Sequence, residues 1–69
     1  MSVYRVTDII GTSQKNWEDA ARQALSAAAS TLRDLRVAEV VAQDVTLTDK
    51  GEVESFRTKL RVSFKYENS

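Results

Sequence analysis

The spacing of apolar positions changes three times along this 69-residue chain. Between Val3 and Ile10 the β-formers Val3, Tyr4, Val6, Ile9 and Ile10 alternate in part and then run together. That pattern predicts a first strand, broken by Gly11-Thr12-Ser13. From Trp17 to Leu35 the period lengthens. Trp17, Ala21, Ala24, Leu25, Ala28, Leu32 and Leu35 recur largely at steps of three and four, which is one stripe of a helix. Asn16 is a good N-cap, Asp19 at the third helical position makes a variant capping box, and Glu18 and Asp19 suit the positive end of the helix dipole. The stripe is rich in alanine, so a sheet can approach it closely. Arg22, Gln23, Ser26, Ser30 and Arg33 form the solvated opposite face.

A period of two then returns. Val37 to Thr48 predicts a long second strand. Asp49-Lys50-Gly51-Glu52 predicts a hairpin turn with Gly51 supplying the positive φ. Val53 to Tyr66 predicts a third strand with a clean alternation. Phe56, Thr58, Leu60, Val62, Phe64 and Tyr66 share one face; Ser55, Arg57, Lys59, Arg61, Ser63 and Lys65 share the other. The expected fold is therefore α+β: a β-α-β-β unit whose three-stranded antiparallel sheet wraps one helix, as a single domain over residues 1–69.

Within the second strand, Arg36 to Gln43 reads R-V-A-E-V-V-A-Q, with apolar residues on both parities. A three-residue loop with Gly51 left-handed places position 37 opposite about position 65 and pairs odd residues with odd. The helix then covers Ala38, Val40 and Ala42 together with Phe56, Leu60, Val62 and Phe64. The second face collects Val37, Glu39, Val41, Gln43, Val45 and Leu47 beside Arg57, Lys59 and Arg61. Four aliphatics are too many to leave in water on so small a domain. Apolar centres among charged neighbours suit a subunit interface or a ligand wall.

Composition narrows the choices. A domain of this size is marginal alone and usually needs disulfides, a metal or oligomerisation. There is no Cys, and no His, the commonest transition-metal ligand and acid–base catalyst. Oligomerisation is left, and no enzyme is expected, since a Ser or Thr nucleophile lacks a base. Ten basic and ten acidic residues balance, which argues against a nucleic-acid partner. No apolar run approaches the ~20 residues of a membrane span, and the N-terminus has no secretion pattern. A soluble cytoplasmic protein is expected.

V-Y-R-V near the start, I-I-G-T-S at the strand end, W-E-D-A-A opening the helix, T-L-R-D-L-R closing it, E-V-V in the second strand and L-R-V-S-F-K-Y-E at the end occur in order at fixed spacings. Over nearly its whole length the chain resembles the dodecin family. The resemblance implies a hollow homododecamer with helices outside and sheets facing inward, holding a small molecule or ion inside the shell. It implies flavin storage and sequestration without chemistry. Flavin-binding members carry a stacking Trp at the start of the second strand, where this chain has Val37-Ala38-Glu39-Val40. They carry a Gln on the third strand, where this chain has Arg57. Losing the aromatic platform removes about 0.5–1.5 kcal/mol of stacking beyond area burial, and Arg57 brings a bulky cation. Flavin binding is thus expected to be weak or lost, with Val37, Arg57, Glu39 and Gln43 marking the former flavin face. Glu39 is the candidate counter-charge for Arg57. The start M-S-V-Y-R-V-x-D-I-I-G-T-S is similar to the calcium dodecin branch, which implies Ca²⁺ binding. The alternative is ordinary riboflavin-type storage at reduced affinity; a third reading is a structural shell stapled by calcium.

Other features have plainer readings. Trp17 is expected to pack rather than stack on a ligand. Arg57, Lys59 and Arg61 read as charges paired across the sheet to Glu39 and Glu54. Thr12 and Ser13 read as helix capping. Asp44, Asp49, Glu52 and Glu54 are the acids of the hairpin, and Asp49 and Glu52 are the candidate metal ligands. Calcium wants 6–8 oxygens, and no D-x-D-x-D-G loop is present. Assembly symmetry would have to pool the carboxylates.

Overall fold

In the computed structural model, which describes residues 2–65, the chain runs β1 (Tyr4–Ser13), α1 (Trp17–Ala29), β2 (Leu35–Leu47) and β3 (Val53–Lys65). The sheet order is β1-β3-β2, with β3 central and antiparallel to both neighbours. The expected β-α-β-β architecture is present. Tyr66, placed at the end of the third strand by its pattern, lies outside the described residues.

Local chemistry accounts for each boundary. The Asn16 side chain accepts the Asp19 N–H at 2.7 Å and starts α1. The Ser13 hydroxyl donates to the Asp19 carboxylate at 2.6 Å and accepts the Lys15 N–H at 2.9 Å, so it serves the helix start. The helix stops at Ala29, short of the expected Leu35. There the Ser30 and Thr31 hydroxyls donate to the Ala27 and Ala28 carbonyls, competing with further helical bonds. Asp34 then takes a φ of 56° and swings the chain into β2. Leu32 and Leu35 still pack on the core, though neither is helical. At the hairpin, the Thr48 N–H donates to the Glu52 carbonyl and the Gly51 N–H to the Thr48 carbonyl, with Gly51 at φ 80°. This is the expected three-residue loop with its glycine left-handed.

Gly11 does not break β1, contrary to its sequence reading; it lies within the strand, paired with Thr58. Its role is to let α1 sit directly on the sheet. A Cβ there would overlap the Ala20 carbonyl oxygen and lie 2.9 Å from the Ala24 Cβ. Ala20, Ala24 and Ala28 form the buried helix stripe against Leu60, Val62 and Thr58 of β3. The Thr58 hydroxyl is satisfied by the Trp17 carbonyl at 2.8 Å.

The helix packs on β1 and β3. It leaves most of β2 uncovered: Ala38 is exposed, and Val40, which shares the helix side with Leu60, is 54% exposed. Where the helix stops short, Leu25, Leu35, Arg36, Val37, Ala38 and Val62 line an open cleft of about 180 Å³. The subunit measures 52 × 19 × 16 Å, and its radius of gyration is 14.3 Å. A compact chain of this length would have a radius near ~11 Å. Its accessible surface is 5340 Å², against roughly 4,300 Å² for a folded monomer of this mass.

Gly11→Ala is expected to cost about 2–4 kcal/mol through the forced helix displacement. Gly51→Ala meets open space and is strained only by its positive φ, for about 1 kcal/mol. Urea midpoints of the two variants check this; equal costs would contradict the close approach of α1 to β1.

Candidate functional site

The sheet face turned away from α1 carries the site. Opposed residues share a face, so the register builds it row by row. Across β1, β3 and β2 the rows are Val6, Ser63, Val37; then Asp8, Arg61, Glu39; then Ile10, Lys59, Ala42; then Thr12, Arg57, Asp44. Beyond them the Thr46 and Ser55 hydroxyls bond at 2.7 Å. Val37 is 63% exposed, and among the described residues no element covers this face.

The register differs from expectation in two ways. Val37 lies opposite Ser63 rather than residue 65. A bulge between Val40 and Ala42 then adds one residue to β2, and from Ala42 to Thr46 even positions face odd ones. Gln43, expected beside Arg57, therefore lies opposite Thr58 on the helix side, and Val45 lies there opposite Phe56. Ala42 and Asp44 take the outer face instead. Val37, Glu39 and Arg57 are on the outer face as expected, but they are not adjacent. Val37 and Arg57 are separated by six residues of β3, about 20 Å along the sheet. One ligand cannot touch both in the same chain.

The charges are paired, with partners other than those expected. Arg57 makes a bidentate contact to Asp44, Nε to Oδ1 at 2.6 Å and Nη2 to Oδ2 at 2.8 Å. Arg61 does the same to Asp8 at 2.9 and 3.1 Å, and Lys59 lies 3.8 Å from Asp8. Glu39 faces Arg61 rather than Arg57. The Arg61 hydrogen bonds, then the charges of Arg61 and Lys59, hold the Asp8 carboxyl below its ordinary value. The Arg57 hydrogen bonds and charge do the same for Asp44. Arg57 and Arg61 are pushed up by the same contacts. Asp8 was missed because the place of β1 beside β3 is not written in either strand alone. Its signal was its parity, shared with Tyr4, Val6 and Ile10.

Trp17 lies at the helix start on the other side of the sheet. Its Nε1–H donates to the Asp44 carbonyl at 2.9 Å, and its ring meets Phe56 edge-on at 5.1 Å. It packs, as expected, and it ties the helix to β2. Asp49 and Glu52 sit exposed on the hairpin turn, away from the charged rows. Among the described residues no three of His, Cys, Asp and Glu come together to hold a metal. The described residues of one chain therefore do not by themselves supply the donor set calcium requires.

Residues 3–67 match the dodecin family. The chain belongs to the dodecin family. It is 49% identical over 65 residues to the calcium dodecin of Mycobacterium tuberculosis, covering 94% of this chain and 90% of that protein. The crystal structure of that calcium-chelating protein, described with a novel calcium-binding site, matches with a TM-score of 0.85 at 47% identity, over 99% of this chain and 96% of that one. The dodecin of Streptomyces davaonensis matches with a TM-score of 0.88 at 34% identity, over 97% of both chains. Dodecins form homododecamers and are non-enzymatic binding proteins, and flavin binding is a property of the family. Among the described residues no helix is long and apolar enough to cross a membrane.

The paired aspartates predict an acid limb of stability. Their folded-state pKa values lie below the ordinary 3.8. The pairs therefore stabilise the fold above the unfolded-state value, and that contribution is lost as pH falls through the folded one. The melting temperature should drop as pH falls from about 5 to about 2. The Asp8→Asn/Asp44→Asn double variant should drop less over the same range. Equal slopes would mean that the pairs contribute nothing.

Proposed function

We propose that the whole chain, residues 1–69, is a non-catalytic dodecin subunit that assembles as a hollow homododecamer in the cytoplasm, its outer sheet face lining the shell. It holds calcium between copies and binds flavin weakly or not at all. The observation that carries this reading is the outer face itself: aliphatic Val37 where a flat ring would need an aromatic platform, and Arg57 clamped to Asp44. The likeness to a calcium dodecin supports calcium as the ligand. With Asp8 and Asp44 engaged by arginines and Glu39 facing Arg61, the hairpin carboxylates Asp49, Glu52 and Glu54 are donors open to pooling between copies. Such pooling suits a cation that takes 6–8 oxygens.

Titrating riboflavin with the calcium-free protein should leave flavin fluorescence unquenched at micromolar concentrations. Saturable quenching would instead favour flavin storage. The Val37→Trp/Arg57→Gln variant should quench, because stacking and a neutral amide are restored together. Since the two positions lie about 20 Å apart in one chain, this gain requires the assembled oligomer. No gain in an assembled variant would overturn the assignment of this face. For calcium, EDTA should lower the melting temperature or split the oligomer. An oligomer indifferent to the chelator contradicts the calcium reading.

A further inference from the structure

We infer that Asp44 is the positioning residue that decides which ligands the outer face accepts: by fixing Arg57 within the sheet, it excludes oxyanions. The inference rests on the reading of this face as a ligand wall. Three observations lead to it. Two register irregularities, at Val40/Ala42 and at Thr46/Leu47, bracket the segment that places Asp44, rather than the neutral Gln43, opposite Arg57, and bulges commonly re-aim side chains in this way. The Asp44 carboxylate then occupies the Nε and Nη2 positions of the guanidinium, at 2.6 and 2.8 Å. This is one of the two edges by which a guanidinium grips a phosphate or carboxylate, and its occupation also neutralises the charge that would attract one. Asp44 is itself held from behind. The Trp17 indole N–H grips its carbonyl, while the Trp17 carbonyl accepts the Thr58 hydroxyl.

The charge pattern makes Asp44 the residue whose loss matters to an anion. Arg61 faces both Asp8 and Glu39. Removing one carboxylate there leaves another. Arg57 has Asp44 opposite it on β2 and the uncharged Thr12 opposite it on β1. Neutralising Asp44 leaves a guanidinium without its counter-charge, repeated in every copy of the shell. Flavin mononucleotide and riboflavin share one ring system and differ by a phosphate. Their affinity ratio therefore reads the availability of Arg57 apart from any stacking on the face.

The test measures binding of both flavins, by equilibrium dialysis, to assembled wild-type protein, Asp44→Asn, and Asp44→Asn/Arg57→Gln. Asp44→Asn should raise affinity for flavin mononucleotide by about tenfold. The gain should shrink with added salt, and riboflavin affinity should not change. The double variant should lose the gain. Trp17→Phe keeps the ring and removes the indole N–H that anchors Asp44. It should raise flavin mononucleotide affinity in the same direction, and it carries the test if Asp44→Asn does not assemble. Unchanged affinity for flavin mononucleotide in the assembled variants would overturn the inference, as would a gain that survives Arg57→Gln. Tight riboflavin binding by the wild type would overturn the reading of lost flavin function instead, while the ratio of the two affinities would still report on Asp44.

Discussion

One helix covers two of the three strands, and most else follows from that shortfall. The alanine stripe and Gly11 let α1 lie against β1 and β3 at close range. The same contact carries the helix away from β2. The thirteen-residue strand β2 is left with apolar side chains exposed on both faces, Val40 on one and Val37 on the other. Among the described residues there is no second helix with which to cover them, and the chain has no cysteine for a disulfide. Its elongated shape and its excess of accessible surface are the outcome. Burial of β2 between copies is the physical resolution.

The outer face complements that need. Its apolar rows, Val6 with Val37 and Ile10 with Ala42, alternate with rows of paired charge. Arg57, Lys59 and Arg61 stand among the carboxylates of Asp8, Glu39 and Asp44, so charge in these rows is balanced locally. Exposed ion pairs of this kind contribute little stability individually. Their geometry matters more: bidentate contacts fix two guanidinium planes and settle which groups remain open to a ligand. Trp17 extends that constraint to the far side of the sheet by holding the backbone of Asp44.

The element order, the hairpin and the alternation of β3 were all legible in the chain, because each has a strong local signal: Asn16 with Asp19 at the helix start, Gly51 at the turn, and strict alternation from Phe56 to Phe64. The need for a partner was legible in R-V-A-E-V-V-A-Q. Three things were not. The end of α1 depends on the competition of Ser30 and Thr31 for carbonyls, whereas the apolar spacing continues to Leu32 and Leu35. Gly11 reads locally as a breaker, and its real partner is a helix carbonyl contributed by another element. The irregularities at Val40/Ala42 and Thr46/Leu47 have no residue signature, yet between them they exchange Gln43 for Asp44 on the outer face and thereby change the partner of Arg57. A shift of one residue inverts the side chains it covers, so the segment Ala42 to Thr46 between the two irregularities could not be read from alternation alone.

The central claim is that β2 is buried by further copies of the same chain. Native mass spectrometry of the purified protein at low micromolar concentration tests it most directly. Twelve 7.7 kDa chains would give a species of roughly 92 kDa. A folded species at the mass of one chain would contradict the account, because β2 would then be stable in water uncovered.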